Sequence, residues 1–205
     1  MTRLNAVRSL VTPVEIFADV GCDHGYIARY AHEIGCKTVI ASDISEVSVE
    51  KAKRALRGCN GVITVCSDGF DRIEEKVDLA VISGMGGRKI MEILDRAKNL
   101  PTSLILGPQH DVSALREYLV DIGYAFDADF LVEENGKYYD IMRVRKGEQA
   151  KLTFTQLNYG VFYTQRNETL LKFALNKQKK MQGYAPTPLN KKRAEALQEI
   201  LKWQL

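Results

Sequence analysis

The sequence of 205 residues predicts an open α/β sheet, five parallel strands closed by an antiparallel hairpin, followed by a basic helical hairpin. Three observations carry this. Short apolar runs alternate with amphipathic stretches, the pattern of βαβ units. A glycine-rich turn follows the first apolar run. Asn135-Gly136 separates two later runs whose period changes to that of a strand, the strongest short-range hairpin signal.

Taken in order, Leu4, Val7, Leu10 and Val11 stand at helical spacing and open the chain. Parallel strands are expected at residues 16–20, 38–42, 62–66, 77–82 and 103–106. Each is predominantly apolar, as in a strand covered on both faces. Helices fall between them. Ile27, Ala31 and Ile34 make a stripe closed by Gly35; Val49, Ala52 and Leu56 make one ended by Gly58. Ile90, Ile93, Leu94 and Ala97 form a third, and Val112, Leu115, Leu119 and Ile122 a fourth that stops at Gly123. The hairpin strands are expected at residues 127–133 and 138–145.

Beyond Gly147 two helical stretches, 163–182 and 190–203, are separated by Gly183, Pro186 and Pro188. Leu170, Leu171, Phe173, Ala174 and Leu175 are placed to zip against Ala194, Leu197, Ile200 and Leu201. The opposite faces carry Lys172, Lys177, Lys179, Lys180, Lys191, Lys192 and Arg193. Residues 1–147 are therefore read as a catalytic domain and 148–205 as a basic extension.

Charge divides along the same line. The formal net charge is only +3, but residues 1–150 hold 19 Lys and Arg against 23 Asp and Glu, and residues 151–205 hold 10 against 3. The tail alone carries +7. That suits an anionic partner, although a solvated helical face has the same composition. Cys22, Cys36, Cys59 and Cys66 show no Cys-x-x-Cys pair, and the three histidines, His24, His32 and His110, add no metal-ligand spacing. Free thiols, no metal, no membrane span and a cytoplasmic protein acting as a monomer or weak dimer are the expectation.

The chemistry is concentrated at strand ends. Asp19-Val20-Gly21-Cys22-Asp23-His24-Gly25 joins the first strand to the first helix of the sheet, where open α/β folds bind ligands. A dinucleotide loop needs a middle glycine for a pyrophosphate. Here Asp19 and Asp23 crowd the turn instead, which suits a ligand bearing an ammonium and a sulfonium, such as S-adenosylmethionine. Asp43, followed by Ile44, ends the second strand at the distance where an acid pairs with ribose hydroxyls. Asp68-Gly69 follows the third strand, where a carboxylate accepts from an adenine amine; the plain alternative is a polar turn. Gly84-Met85-Gly86-Gly87 after the fourth leaves bare backbone that admits a flat base.

At these residues the chain resembles the bacterial tRNA adenine-22 N1-methyltransferase family. The pattern Asp-x-Gly-x-Asp-His-x-Tyr appears as Asp19 to Tyr26, and Gly-Met-Gly-Gly as Gly84 to Gly87. The likeness extends through Arg3-Leu4, the Glu133-Glu134-x-Gly136-Lys137-x-Tyr139 hairpin and the tail. One departure stands out: Gly107-Pro108-Gln109 replaces the family's usual Gln-Pro-Asn. The resemblance implies a class I, Rossmann-like methyltransferase that moves a methyl group from S-adenosylmethionine to N1 of adenine in tRNA, with the tail helping to hold the RNA.

On that expectation Asp23, with His24 and Tyr26, is catalytic: Asp23 stabilises the charge appearing on the ring or fixes the amino-acid end of the cofactor, and the two rings position the base. Packing at the helix start is the competing reading of His24. Asp19, Gly21, Cys22, Gly25, Asp43, Ile44, Asp68, Gly69, Gly84, Met85 and Gly86 are expected to bind cofactor. Gly87, Arg88, Pro108, Gln109, Lys172, Lys179, Lys180, Lys191, Lys192 and Arg193 are expected to bind substrate. Gly84-Met85-Gly86 lacks the acceptor side chain that exocyclic-amine methylation uses, which favours N1. Three rivals share parts of the pattern: a methyltransferase for a protein or small molecule, a nicotinamide-dependent oxidoreductase, and a non-catalytic tRNA-binding relative.

Overall fold

The computed structural model describes residues 1–204. Helices α1 (Arg3–Leu10), α2 (Tyr26–Glu33), α3 (Glu46–Ala55), α4 (Gly87–Arg96) and α5 (Val112–Asp121) interleave with strands β1 (Ile16–Val20), β2 (Thr38–Asp43), β3 (Val62–Cys66), β4 (Leu79–Ser83) and β5 (Ser103–Gly107). The hairpin β6 (Tyr124–Glu134) and β7 (Lys137–Lys146) follows, then α6 (Phe154–Tyr159), α7 (Glu168–Met181) and α8 (Pro188–Gln204).

The seven strands form one sheet in the order β3-β2-β1-β4-β5-β7-β6. β1 to β5 are parallel, and β7 enters antiparallel between β5 and β6. Chain direction across the sheet reverses between β1 and β4, so the loops leaving those two strands diverge and open a crevice at their carboxyl ends.

Alternation along the strands fixes what each face buries. Ala18, Val20, Ala80, Ile82, Leu104 and Leu106 pack with Ile90, Ile93 and Leu94 of α4 and Leu115 and Leu119 of α5. Phe17, Val39, Ala41, Val81 and Ile105 pack with Ala6 and Val7 of α1, Ile27, Ala28 and Ala31 of α2, and Ala52 and Leu56 of α3. Asp19 shares the parity of Phe17, so its carboxyl turns toward the layer containing α2. The hairpin turn is as the dipeptide requires, with Asn135 at φ 52° and Gly136 at φ 73°.

Several expectations need correction. β3 is not covered on both faces: it is the sheet edge, and Ile63 is 45% exposed. β6 begins at Tyr124, directly after the turn at Gly123, and a bulge between Phe126 and Ala128 resets its register. Val77 is buried just ahead of β4, which ends one residue later than expected. In the tail, α6 was not foreseen. A capping box marks it, Thr153 accepting from the Gln156 N–H while the Gln156 side chain accepts from Thr153. α7 starts at Glu168, where the Asn167 side chain caps it, rather than at residue 163. Leu175 is 38% exposed instead of joining the zip, which consists of Leu170, Ala174, Leu197, Ile200 and Leu201 closing on Leu131 of β6.

One buried cation joins tail to sheet. Arg116 of α5 is 1% exposed and grips Asp129 of β6 through two bonds of 2.8 Å. It also donates to Asp140 of β7 at 2.5 Å and to the Leu157 carbonyl of α6 at 2.9 Å. Asp129 accepts in addition from the Val161 N–H. Burial alone would favour neutral arginine, but Asp129 and Asp140 outweigh it and raise the Arg116 pKa.

Candidate functional site

A cleft of about 410 Å³ opens at the crevice between the ends of β1 and β4. Its walls come from α1 (Arg3, Leu4, Val7), the β1–α2 loop (Gly21, Cys22, Asp23, His24), the end of β4 (Ser83, Gly84) and Glu134 at the hairpin tip. Three acidic residues, Asp19, Asp23 and Glu134, line it against one arginine, Arg3. The Arg3 guanidinium lies over the Tyr139 ring, 5.1 Å from its centroid, and the Arg3 backbone N–H donates to Glu134 Oε1 at 3.1 Å.

The loop is shaped by backbone. Gly21, Asp23 and Gly25 are all left-handed, at φ 80°, 41° and 70°. The Gly21 and Cys22 N–H groups donate to the Ser42 carbonyl, which hangs the turn on β2. A side chain on Gly25 would press on Ala52 and Leu56, so glycine lets the loop lie against α3. Gly25 also sits at the α2 N-cap, where it can offer no side-chain acceptor. Asp19 supplies one from the neighbouring strand, its Oδ2 accepting from the Ala28 N–H at 3.0 Å. Burial raises the Asp19 pKa to about 7, the Ala28 bond opposing and Asp43 adding to the rise.

Asp43 ties the next loop: Oδ2 accepts from the Asp23 N–H at 3.1 Å and Oδ1 from the Ser45 N–H at 2.9 Å. A carboxylate has about four lone-pair sites, so two remain for a ligand diol. Ile44 beside it is 67% exposed, an apolar wall without a protein partner on its outer face. Cys22 is buried at the cleft, where burial and then the Asp19 and Asp43 charges push its thiol pKa up and keep it un-ionised.

Not every expected residue converges. The Asp23 carboxylate points to the rim, 2.7 Å from His24 Nδ1 and 3.5 Å from Lys51 Nζ. Desolvation opposes, but His24 and Lys51 hold its pKa below the usual carboxylate range. His24 and Tyr26 stack with centroids 5.6 Å apart and planes 6° from parallel. Asp68 is held by Arg96 at 2.9 Å and Lys89 at 3.3 Å from α4, and these cations, Arg96 foremost, lower its pKa. Gly69 is also left-handed, under Ile93.

Met85 is not part of the cleft wall; it packs against the core, with its Cε 3.0 Å from where a Gly21 side chain would begin. Gly86 lies beneath the His110 ring, and a Cβ on Gly87 would stand 2.7 Å from the Asp111 carbonyl. Pro108 is buried, so it shapes the loop rather than offering a surface to substrate, while Gln109 is exposed and its N–H donates to Met85. Gly107 is matched to its neighbour, since the Ser83 hydroxyl fills the space a side chain there would need. Arg88 is exposed, 3.8 Å from Asp111. The tail lysines Lys172, Lys179, Lys180, Lys191 and Lys192 are exposed and Arg193 is half-buried. No ion pair engages them among the described residues.

Sequence reading missed Arg3, Glu134 and the His110-Asp111 pair. Glu134 had a signal, because the Asn-Gly turn fixes which residue ends β6. Nothing in the spacing announces that α1 would meet the hairpin tip, or that Asp111 would adopt φ 55°.

The switch-point crevice, the acid-rich glycine loop and the strand order β3-β2-β1-β4-β5-β7-β6 define a class I methyltransferase fold. Comparison with known proteins carries this further. Residues 17–205 match the model of the TrmK family, tRNA (adenine(22)-N(1))-methyltransferase, and the chain belongs to that family. A Mycoplasma pneumoniae relative is 35% identical over 166 residues, covering 77% of this chain and 78% of that one. The Bacillus subtilis tRNA (adenine(22)-N(1))-methyltransferase is 32% identical over 157 residues, covering 72% of this chain and 65% of that one. Among solved structures, Streptococcus pneumoniae Sp1610 in complex with S-adenosyl-L-methionine superposes with a TM-score of 0.85 at 27% identity, covering 97% and 98% of the two chains.

Proposed function

We propose that the chain transfers a methyl group from S-adenosylmethionine to N1 of adenine 22 in tRNA, with the cleft between β1 and β4 as its active site. The observation that carries this is an acid-lined crevice at the switch point of a chain from this family. The donor set fits the cofactor: acceptors dominate where a sulfonium and an ammonium must sit, and Asp43 keeps lone pairs for a ribose. When bound, S-adenosylmethionine supplies the methyl group together with its own leaving group.

The residues then have separable tasks. Asp43 holds the ribose and Ile44 covers the adenine, with the bare backbone of Gly84 to Gly86 on its other side. Asp68 and Gly69, anchored on α4, close the far end. Asp19 and the Gly21-Cys22 backbone hold the amino-acid end. Asp23 fixes the rim by orienting His24, and the His24-Tyr26 stack presents a flat surface to the target base. Glu134 has one oxygen on Arg3 and one left to face the positive charge that N1 methylation creates. N1 has a free lone pair, so no general base is required; alignment and water exclusion do the work. N1 is hidden in Watson–Crick pairs, so the target must be unpaired or extruded. Arg88 and Gln109 border its path, whereas Gly87 is buried against the next loop and shapes it from beneath, and the tail cations grip phosphates. A tRNA substrate places the work in the cytoplasm, and no helix among the described residues is long and apolar enough to cross a membrane.

The test is transfer of labelled methyl to an unmodified tRNA transcript, mapped by reverse-transcription arrest. One arrest at adenine 22, lost when that base is guanine, is expected. Label on another nucleotide, or none with folded protein and cofactor, overturns the reading.

A further inference from the structure

Another cavity lies wholly within the tail, about 270 Å³ between α6, α7, α8 and the turn that joins the last two, and it shares no residue with the cleft. Its walls combine aromatic faces with cations: Tyr159, Phe173 and Tyr184 with Lys177, Lys180 and Arg193. Tyr184 is 53% exposed at the turn, a large ring that packing leaves uncovered. Phe173 is fixed edge-on by Tyr138 at 5.1 Å and by Tyr159 at 6.3 Å, and Lys177 Nζ sits 5.2 Å from its centroid. Arg193 has one side-chain partner, Asn190 at 3.4 Å, and no carboxylate lies within salt-bridge distance of Lys177, Lys180 or Arg193 among the described residues.

We infer that this cavity receives one unpaired nucleotide of the tRNA, its base against the aromatic faces and its phosphate on Lys180 and Arg193. Resting on the proposed tRNA reading, this makes the tail a grip on a looped-out base as well as a sheath of positive charge. The chemistry is specific to that ligand class. Unpaired bases stack on aromatic rings, which a duplex cannot do because its bases are already stacked. Cations with no carboxylate to neutralise them remain available to an anion beside that ring. A purely electrostatic arm needs no exposed tyrosine over a cavity.

Stacking and charge separate in the experiment. Affinity for unmodified tRNA is measured by fluorescence anisotropy across salt concentrations, and affinity for S-adenosylhomocysteine by calorimetry, on the full chain. Tyr184→Ala should weaken tRNA binding about tenfold with the salt slope unchanged, because it removes a stack and no charge. Tyr184→Phe should restore it, and Lys180→Gln should reduce the salt slope by about one contact. Cofactor affinity should stay constant throughout. If Tyr184→Ala binds and is methylating tRNA like the parent, the cavity is not a nucleotide site while the proposed activity stands. If the parent neither binds nor methylates tRNA, both fall together.

Discussion

The cleft and the tail are built on opposite principles. At the strand ends, shape is set by backbone: left-handed Gly21, Asp23 and Gly25, a turn hung on the Ser42 carbonyl, and Gly87 pressed against the next loop. In the tail, shape is set by side chains: an apolar zip on Leu131 and one buried arginine shared with the sheet. The first region therefore resists added carbon, and the second resists lost charge. Removing residues 151–205 is consequently more than removal of a basic arm, because it takes away the Leu157 carbonyl and Val161 N–H that complete the Arg116 cluster and uncovers Leu131.

The largest effect is expected at the junction. Arg116→Leu leaves Asp129 and Asp140 buried without their cation and should cost about 3–5 kcal/mol. In a protein of this size that is a fall of roughly 6–20 °C in melting temperature, read by calorimetry. A loss under 1 kcal/mol would show that the tail is not anchored there.

Next comes a matched glycine pair. Gly87→Ala forces a Cβ to 2.7 Å from the Asp111 carbonyl and should cost about 1–3 kcal/mol in chemical denaturation. Gly183→Ala in the tail meets nothing nearer than 3.8 Å and should be close to neutral. Equal costs would erase the contrast between the two regions.

The most local effect is a pH dependence confined to the cleft. The folded Asp19 pKa of about 7 lies above its ordinary 3.8, so the folded state holds more protons between those values and loses stability as pH rises through that window. A cationic ligand favours the ionised form and displaces that proton. Cofactor affinity should therefore increase by up to about tenfold per pH unit below 7 and level off above it. Asp19→Asn should flatten the profile, and a flat profile in the parent protein would remove Asp19 from contact with the ligand's charge.

Much of this was legible in the sequence. Mostly apolar runs located the parallel strands because burial on both faces favours that composition, and Asn135-Gly136 fixed the hairpin because both positions need positive φ. The acids at strand ends were found for the same reason, since topology brings those ends together. Other features were not visible. The β3 edge could not be told from a central strand, because Val62 to Val65 are as apolar as the rest. Leu175 follows the stripe in sequence but not in space. The partner of Asp68 depends on how α4 packs, and Glu134 enters the cleft only because α1 crosses the sheet to meet it. Short-range pattern carries no information on contacts between residues more than 130 positions apart, as for Arg3 and Glu134.

That last contact sets a timetable. The glycine loop and its strands are synthesised early, whereas the entrance is bounded by residue 134. During vectorial synthesis the early portion has emerged long before the hairpin does. Because the hairpin belongs to the same sheet and a domain folds as a unit, the glycine loop must wait, and the doorway is finished only once residue 134 has emerged and met the first helix.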